Sequence, residues 1–398
     1  MTRNPGARFW EKIKCIATVL AGLAVLGAVA IALFTYSGIY NIAASTPHLP
    51  FVRWWLELGM QRSVKFHASG IKVPPLGDAA MVERGLRHFE SGCASCHGAP
   101  GFFHPPIGER MLPHAPDLSE KVTDWSAGEL FWIVKHGIKM TGMPAWAAQQ
   151  RDDEVWSLVA FLRVLPGLTP QAYRTMTDVP VAASMVGTNS GRLIAAMGPP
   201  GKAEAACARC HGLDGAGHAS GAFPRLSGQD QAYLLLTMQA YATGERPSGI
   251  MQPIARALSE REINEVAAYY ASVENAPQRP EATPTDLTLL QQGGALAAIG
   301  APERRIEACV NCHGPRGQGG QPANPALAGQ YRGYLEQQLL LWKMGSRGDD
   351  PKGIMAPIAR RMSMREIQAT AAYFASLPSD RAHRSGDILP AGNSAPPN

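Results

Sequence analysis

A chain of 398 residues suits two or three domains. Its net charge of +5 mixes both signs without a long like-charged block, and no base-reading motif occurs, so nucleic acid is not the expected partner. Forty-one glycines and 32 prolines predict short helices joined by structured loops, below the level of a disordered low-complexity chain.

The first predicted element lies over 16–40, a run without a charged residue. About 20 such residues cross a bilayer as a helix. Arg3, Arg8, Lys12 and Lys14 precede the run, which places the N-terminus in the cytoplasm and the remainder in the periplasm. Tyr36, Tyr40, Phe51, Trp54 and Trp55 follow it as an interfacial belt would. A cleaved signal peptide has an apolar core of about 7–15 residues. This run is longer, and Ile42 in NIAAS occupies a place that cleavage reserves for a small residue. A buried soluble helix leaves the basic flank unexplained. The reading is a cytoplasmic stub and inner-membrane anchor over 1–50, then a juxtamembrane segment over 51–74.

Beyond it, the chain repeats. Residues 193–212 match 295–314, and GIMQPIA at 249–255 matches GIMAPIA at 353–359. Residues 191–276 and 286–378 are therefore two copies of one unit, and 75–166 is a looser copy. The shared order is helix, Cys-x-x-Cys-His, Pro-x-Leu, methionine loop, final helix. The final helices of the first two copies open on acidic residues, Asp152–Glu154 and Glu260/Glu262. The last opens more weakly, with Ser363 as cap and Glu366 three residues on. No alternating β pattern of useful length appears, so the expected fold class is all-α. Residues 167–190 and 277–285 read as linkers and 379–398 as a disordered tail.

Six of the seven cysteines form three Cys-x-x-Cys-His motifs: Cys93, Cys96 and His97; Cys207, Cys210 and His211; Cys309, Cys312 and His313. The seventh, Cys15, borders the apolar run. Structural zinc commonly takes two close pairs, and three single pairs in separate units do not supply them. A thiol–disulfide motif is expected near a βαβ pattern, which is missing. Covalent haem attachment fits: two thioether bonds fix the porphyrin edge to one turn of chain, and the adjacent histidine lies under the iron.

On these residues each unit resembles a class I cytochrome c domain. The tandem 191–378 is similar to dihaem cytochromes of the c4 type through Pro-x-Leu-x-Gly-Gln, the methionine loop and the final Ala-Ala-Tyr-(Tyr/Phe)-Ala-Ser helix. Residues 75–166 resemble a single-haem domain with a GMPAW loop. The resemblance implies three haem c groups, a helical shell around each, crossing first and last helices, and an axial methionine opposite the histidine, which raises the potential. Met251 and Met355 are methionine in both tandem copies, whereas Met238 aligns with Leu339, Met362 with Leu258, Met364 with Glu260 and Met197 with Ile299. In the first unit Met143, followed by Pro144, is preferred to Met140, with His114 and His136 as rivals. The family also has a proline carbonyl hold the histidine's other nitrogen; the matching positions are Pro224, Pro325 and, less directly, Pro116.

Six-coordinate irons leave no open site for substrate, so the expectation is a membrane-anchored periplasmic electron carrier. Its donor would be a quinol-oxidising complex or a dehydrogenase, and its acceptor a terminal oxidase or soluble carrier. The alternatives are the cytochrome subunit of a periplasmic dehydrogenase complex, or a haem enzyme such as a peroxidase. Residues 75–166 carry eight basic and eleven acidic side chains, and 286–378 carry ten and seven. This asymmetry predicts different partners at the two ends, with Arg304, Arg305, Arg360 and Arg361 serving the basic one.

Overall fold

The computed structural model describes residues 5–177, 202–218, 220–273, 286–319, 324–348 and 353–379. The opening of the second unit at 191–201, the linker 277–285, most of the linker 167–190 and the tail beyond 379 lie outside the described residues. Among those described there are helices and one isolated bridge, Ala301 to Ile306, and no strand, in agreement with the all-α expectation.

Helix α1 runs Pro5–Ser37 with its apolar side chains exposed. Within it Phe9–Ser37 is long and apolar enough to cross a membrane. The juxtamembrane segment is itself helical: α2 spans Pro50–Ala68 and is seated on the first unit. Val64 is fully buried, His67 stacks on Trp132 at 5.6 Å between centroids, and Ile71 lies over Gly128.

The first unit is built on α3 (Ala79–His88), α4 (Ala127–His136) and α5 (Asp152–Val164). Asp78 caps α3, and a Ser126–Glu129 capping box opens α4. Helices α3 and α5 cross at Gly85, where a Cβ would fall 2.0 Å from the Ser157 carbonyl oxygen. Phe89, Leu86, Val155, Leu158 and Phe161 fill the core beside this crossing. A fully buried phenylalanine contributes about 1.5–3 kcal/mol relative to exposure.

The second unit shows α6 (Lys202–His211), α7 (Gln231–Thr243), α8 (Met251–Ala257) and α9 (Glu260–Ser272). The third shows α10 (Leu287–Ile299), α11 (Arg332–Met344), α12 (Met355–Arg361) and α13 (Met364–Ser376). Its first and last helices cross at Gly293, whose Cβ position lies 2.0 Å from the Ala369 carbonyl oxygen. The weaker opening expected for α13 is not found. Ser363 and Glu366 close the same reciprocal capping box as Ser259 and Glu262, because the box needs only the cap and N3 side chains, not acidic residues elsewhere in the turn.

The second and third units meet about a pseudo-twofold axis. Gln229 brackets the backbone of Ala326, donating to its carbonyl at 2.7 Å and accepting its N–H at 3.0 Å. Gln330 brackets Arg225 in the same way, both bonds at 2.9 Å. Arg225 and Ala326 are equivalent residues of the repeat, so the contact is isologous. The first unit, with Pro116-Asp-Leu118-Ser-Glu120, has no such glutamine and docks by other means.

Candidate haem centres

Each Cys-x-x-Cys-His motif ends on a helical turn that places its two sulfurs on one side and its histidine at the end. The histidine Nδ1–H donates to a proline carbonyl in every unit: His97 to Pro116 at 2.8 Å, His211 to Pro224 at 3.1 Å and His313 to Pro325 at 2.9 Å. Burial lowers the pKa of all three histidines, His211 to about 4, against the opposing pull of the proline carbonyl. The result is a neutral imidazole with Nδ1 engaged and the Nε2 lone pair left for a metal.

Burial pushes the Cys93 thiol up to about 12 and those of Cys210 and Cys309 to about 11. A thiol–disulfide catalyst needs the opposite shift. None of the motif cysteines forms a disulfide.

One cavity of about 980 Å³ joins the second and third units. Cys207, Cys210, His211 and Met251 line one part of it, and Cys309, Cys312, His313 and Met355 the other. Met238 and Met362 also face it, Met362 being 2% exposed within the apolar core. The cavity wall carries buried cations: Arg225, Arg246 and Arg347 from the tandem, Arg87 from the first unit. Arg246 donates to Tyr334 Oη and Gln338 Oε1, each at 2.9 Å. Arg87 pairs with Glu90 at 2.8 Å through Nη1, and its buried Nε has no hydrogen-bond partner among the described residues. Cations in an apolar wall require anions beside them. A haem, with an apolar ring, two carboxylates and two thioether links, fits this chemistry: cysteines and histidine on one side, a thioether sulfur within the cavity, guanidinium groups at its edge.

In the first unit the methionine loop places Met143 half-buried, its N–H donating to Thr141 Oγ1 at 3.0 Å. Met140 has a left-handed backbone and an 82% exposed side chain. His114 and His136 are exposed, and His136 lies against Trp132. This geometry favours Met143 over its three rivals.

Several residues at the junction of the first and second units carry no motif. Trp146 of the GMPAW loop packs on Gly249 of the next unit, whose Cβ position lies 2.1 Å from the indole Nε1. His88 is buried against Trp146, and burial lowers its pKa to about 3. Glu83 pairs with His218 at 2.6 Å and accepts from Ser220. Burial alone would raise the Glu83 pKa, but these two partners lower it. Arg151 in place of a serine before the last helix of the first unit, like the missing glutamine after Pro116, is a signal in the sequence that this unit turns a different face to its neighbours.

An all-helical chain with half-buried Cys-x-x-Cys-His turns, proline-held histidines and a methionine-lined cavity is a c-type cytochrome. Family models agree. Residues 80–162 match cytochrome c oxidase, cbb3-type, subunit III, and residues 201–274 and 305–378 each match cytochrome c. A thiosulfate dehydrogenase electron acceptor of Stutzerimonas stutzeri is 44% identical over 188 residues, 47% of this chain and 86% of that protein. Cytochrome c4 of Pseudomonas aeruginosa is 36% identical over 180 residues, 44% of this chain and 87% of that one. A solved thiosulfate dehydrogenase from Marichromatium purpuratum overlaps at a TM-score of 0.40 and 38% identity, covering 47% of this chain and 40% of that one. The chain belongs to the multihaem c-type cytochromes, carries covalently bound haem c and functions in electron transfer.

Proposed function

We propose that the chain is a membrane-anchored, periplasmic trihaem relay. It takes electrons from a periplasmic dehydrogenase of the thiosulfate-oxidising class and passes them to a terminal oxidase or soluble carrier. The observation that carries this reading is one cavity lined by both tandem motifs, in which two haems would share one protein wall. Units 75–166, 191–276 and 286–378 each hold one haem in this proposal. Haem c supplies the one-electron ferric/ferrous couple when bound.

The chain's own residues do the rest. Cys93 and Cys96, Cys207 and Cys210, and Cys309 and Cys312 hold the porphyrin edges. His97 and Met143, His211 and Met251, and His313 and Met355 would supply the ligands to the three irons. Pro116, Pro224 and Pro325 fix the imidazole planes. Arg225, Arg246 and Arg347 offset the carboxylates, and the apolar lining keeps water away and favours a high potential. Helix α1 keeps the relay at the membrane with its N-terminus in the cytoplasm.

The likeness to electron acceptors of thiosulfate dehydrogenase supports the choice of donor. It also favours a second reading, a permanent subunit of such a dehydrogenase complex. Rapid mixing with a thiosulfate-reduced dehydrogenase tests both. The relay reading expects a reduction rate that rises with donor concentration and levels off as a transient complex fills, the subunit reading co-purification through gel filtration. No reduction at any donor concentration overturns both.

A further inference from the structure

The N3 position of the last helix is glutamate in all three units and is used in two ways. Glu262 and Glu366 turn back onto their own serine caps. Helix α5 has Arg151 at the cap position with no side-chain cap, and its N3 residue, Glu154, reaches into the second unit. Ser248 Oγ donates to Glu154 Oε1 at 2.7 Å, and the Gly249 N–H donates to Oε2 at 2.6 Å. Trp146 Nε1–H donates to the same Oε2 at 3.1 Å, and Arg151 lies 3.0 Å from Oε1. Arg151 also donates to the Pro247 carbonyl at 2.7 Å. Ser248 Oγ in turn accepts the Met251 N–H at 3.0 Å and the Ile250 N–H at 3.3 Å. Two successive hydrogen bonds thus tie Glu154 to the backbone of Met251. Glu154 is 7% exposed, so these charge-assisted bonds are shielded from water.

We propose that Glu154 is a positioning residue for the axial methionine of the second haem, so that docking of the first unit sets the iron coordination of its neighbour. The inference rests on the reading of Met251 as an iron ligand. Among the described residues the third unit has no counterpart to the indole contact: the Cβ position of Gly353, two residues before Met355, meets none of them, whereas that of Gly249 is filled by Trp146. Coordination at the second haem therefore depends on the first unit, and that at the third does not depend on any such indole.

The test uses the full-length holoprotein, read by the sulfur-to-iron charge-transfer band, carbon monoxide binding to the reduced form and potentiometric titration. Met251→Ala removes one haem's share of the band. Glu154→Gln and the milder Ser248→Ala keep the band but speed carbon monoxide binding to one haem about tenfold, the factor that loss of one charge-assisted hydrogen bond gives, and shift that haem's potential alone. Glu83→Ala breaks a separate contact between the same two units, that with His218 and Ser220, and leaves this haem as in the wild type. Equal effects from Glu83→Ala and Glu154→Gln show a docking contact only and overturn the proposal. So does an unchanged second haem in both Glu154→Gln and Ser248→Ala. A band untouched by Met251→Ala instead overturns the ligand assignment beneath it.

Discussion

The two GIM loops have nearly the same sequence and different surroundings. The Met251 loop is gripped from outside its own unit by Glu154, Arg151 and Trp146. At the Met355 loop, Gly353 has a left-handed backbone and open space around it. Sequence identity in a repeat thus preserves the candidate ligand but not its support, and the support is where one unit can act on the next.

Four perturbations probe that contrast, beginning with the largest effect. Replacing Cys207 and Cys210 together by alanine leaves the second unit without covalent haem, and the haem content, read by mass spectrometry, falls by one group per chain. Loss of a cofactor that binds only the folded unit also lowers the thermal midpoint.

Next come the glycines of the two loops. Gly249→Ala drives a Cβ into Trp146 and destabilises by about 1–3 kcal/mol, as overpacking does. Gly353→Ala meets no neighbour and costs about 1–2 kcal/mol through its left-handed backbone alone. Adding Trp146→Ala rescues the first substitution and not the second in denaturant titrations. Rescue of both, or of neither, removes the distinction between the loops.

Gln229→Ala and Gln330→Ala test the pseudo-twofold contact. Each strips partners from a backbone N–H and a carbonyl of the facing unit, costing about 1–3 kcal/mol. The two costs should be similar, because the contact is symmetric.

Acid probes the junction of the first two units. His88 has its pKa lowered by burial to about 3, below its ordinary 6.5. A histidine kept neutral in the folded state stabilises fully above pH 6.5, and that stability is lost as pH falls from 6.5 toward 3, where the unfolded chain binds the proton first. His88→Asn flattens this slope. Glu366 gives a smaller effect at the far end: its exposed bond to Arg304 lowers its pKa from 4.5 to about 2, and that contribution fades as pH falls through this window. Because Arg304 is already paired, charge reversal at Arg305, Arg360 and Arg361 is the cleaner test of a basic docking face. It should slow exchange with one partner and leave the other unchanged.

Much of this was legible in the chain. The helical class, the repeat and the apolar anchor run follow from residue periodicity and spacing. The alignment singled out Met251 and Met355 without reference to packing. The difference in exposure between Met143 and Met140 could not be read from the sequence, because it depends on how the loop folds over its own unit. The role of Gln229 and Gln330 was hidden in a repeated motif, since a residue that binds the other copy repeats as faithfully as one that binds its own. Glu154 was hidden more deeply. It occupies the same helix position as two capping glutamates, and only the arginine before it marks the change of partner.

The most direct measurement is a visible-spectrum redox titration of the full-length protein with haem quantitation. The account predicts three haems per chain, sulfur-to-iron charge-transfer intensity from all three, and only slow carbon monoxide binding to the reduced protein at neutral pH. Fewer than three haems, or a reduced haem that binds carbon monoxide readily, would contradict it.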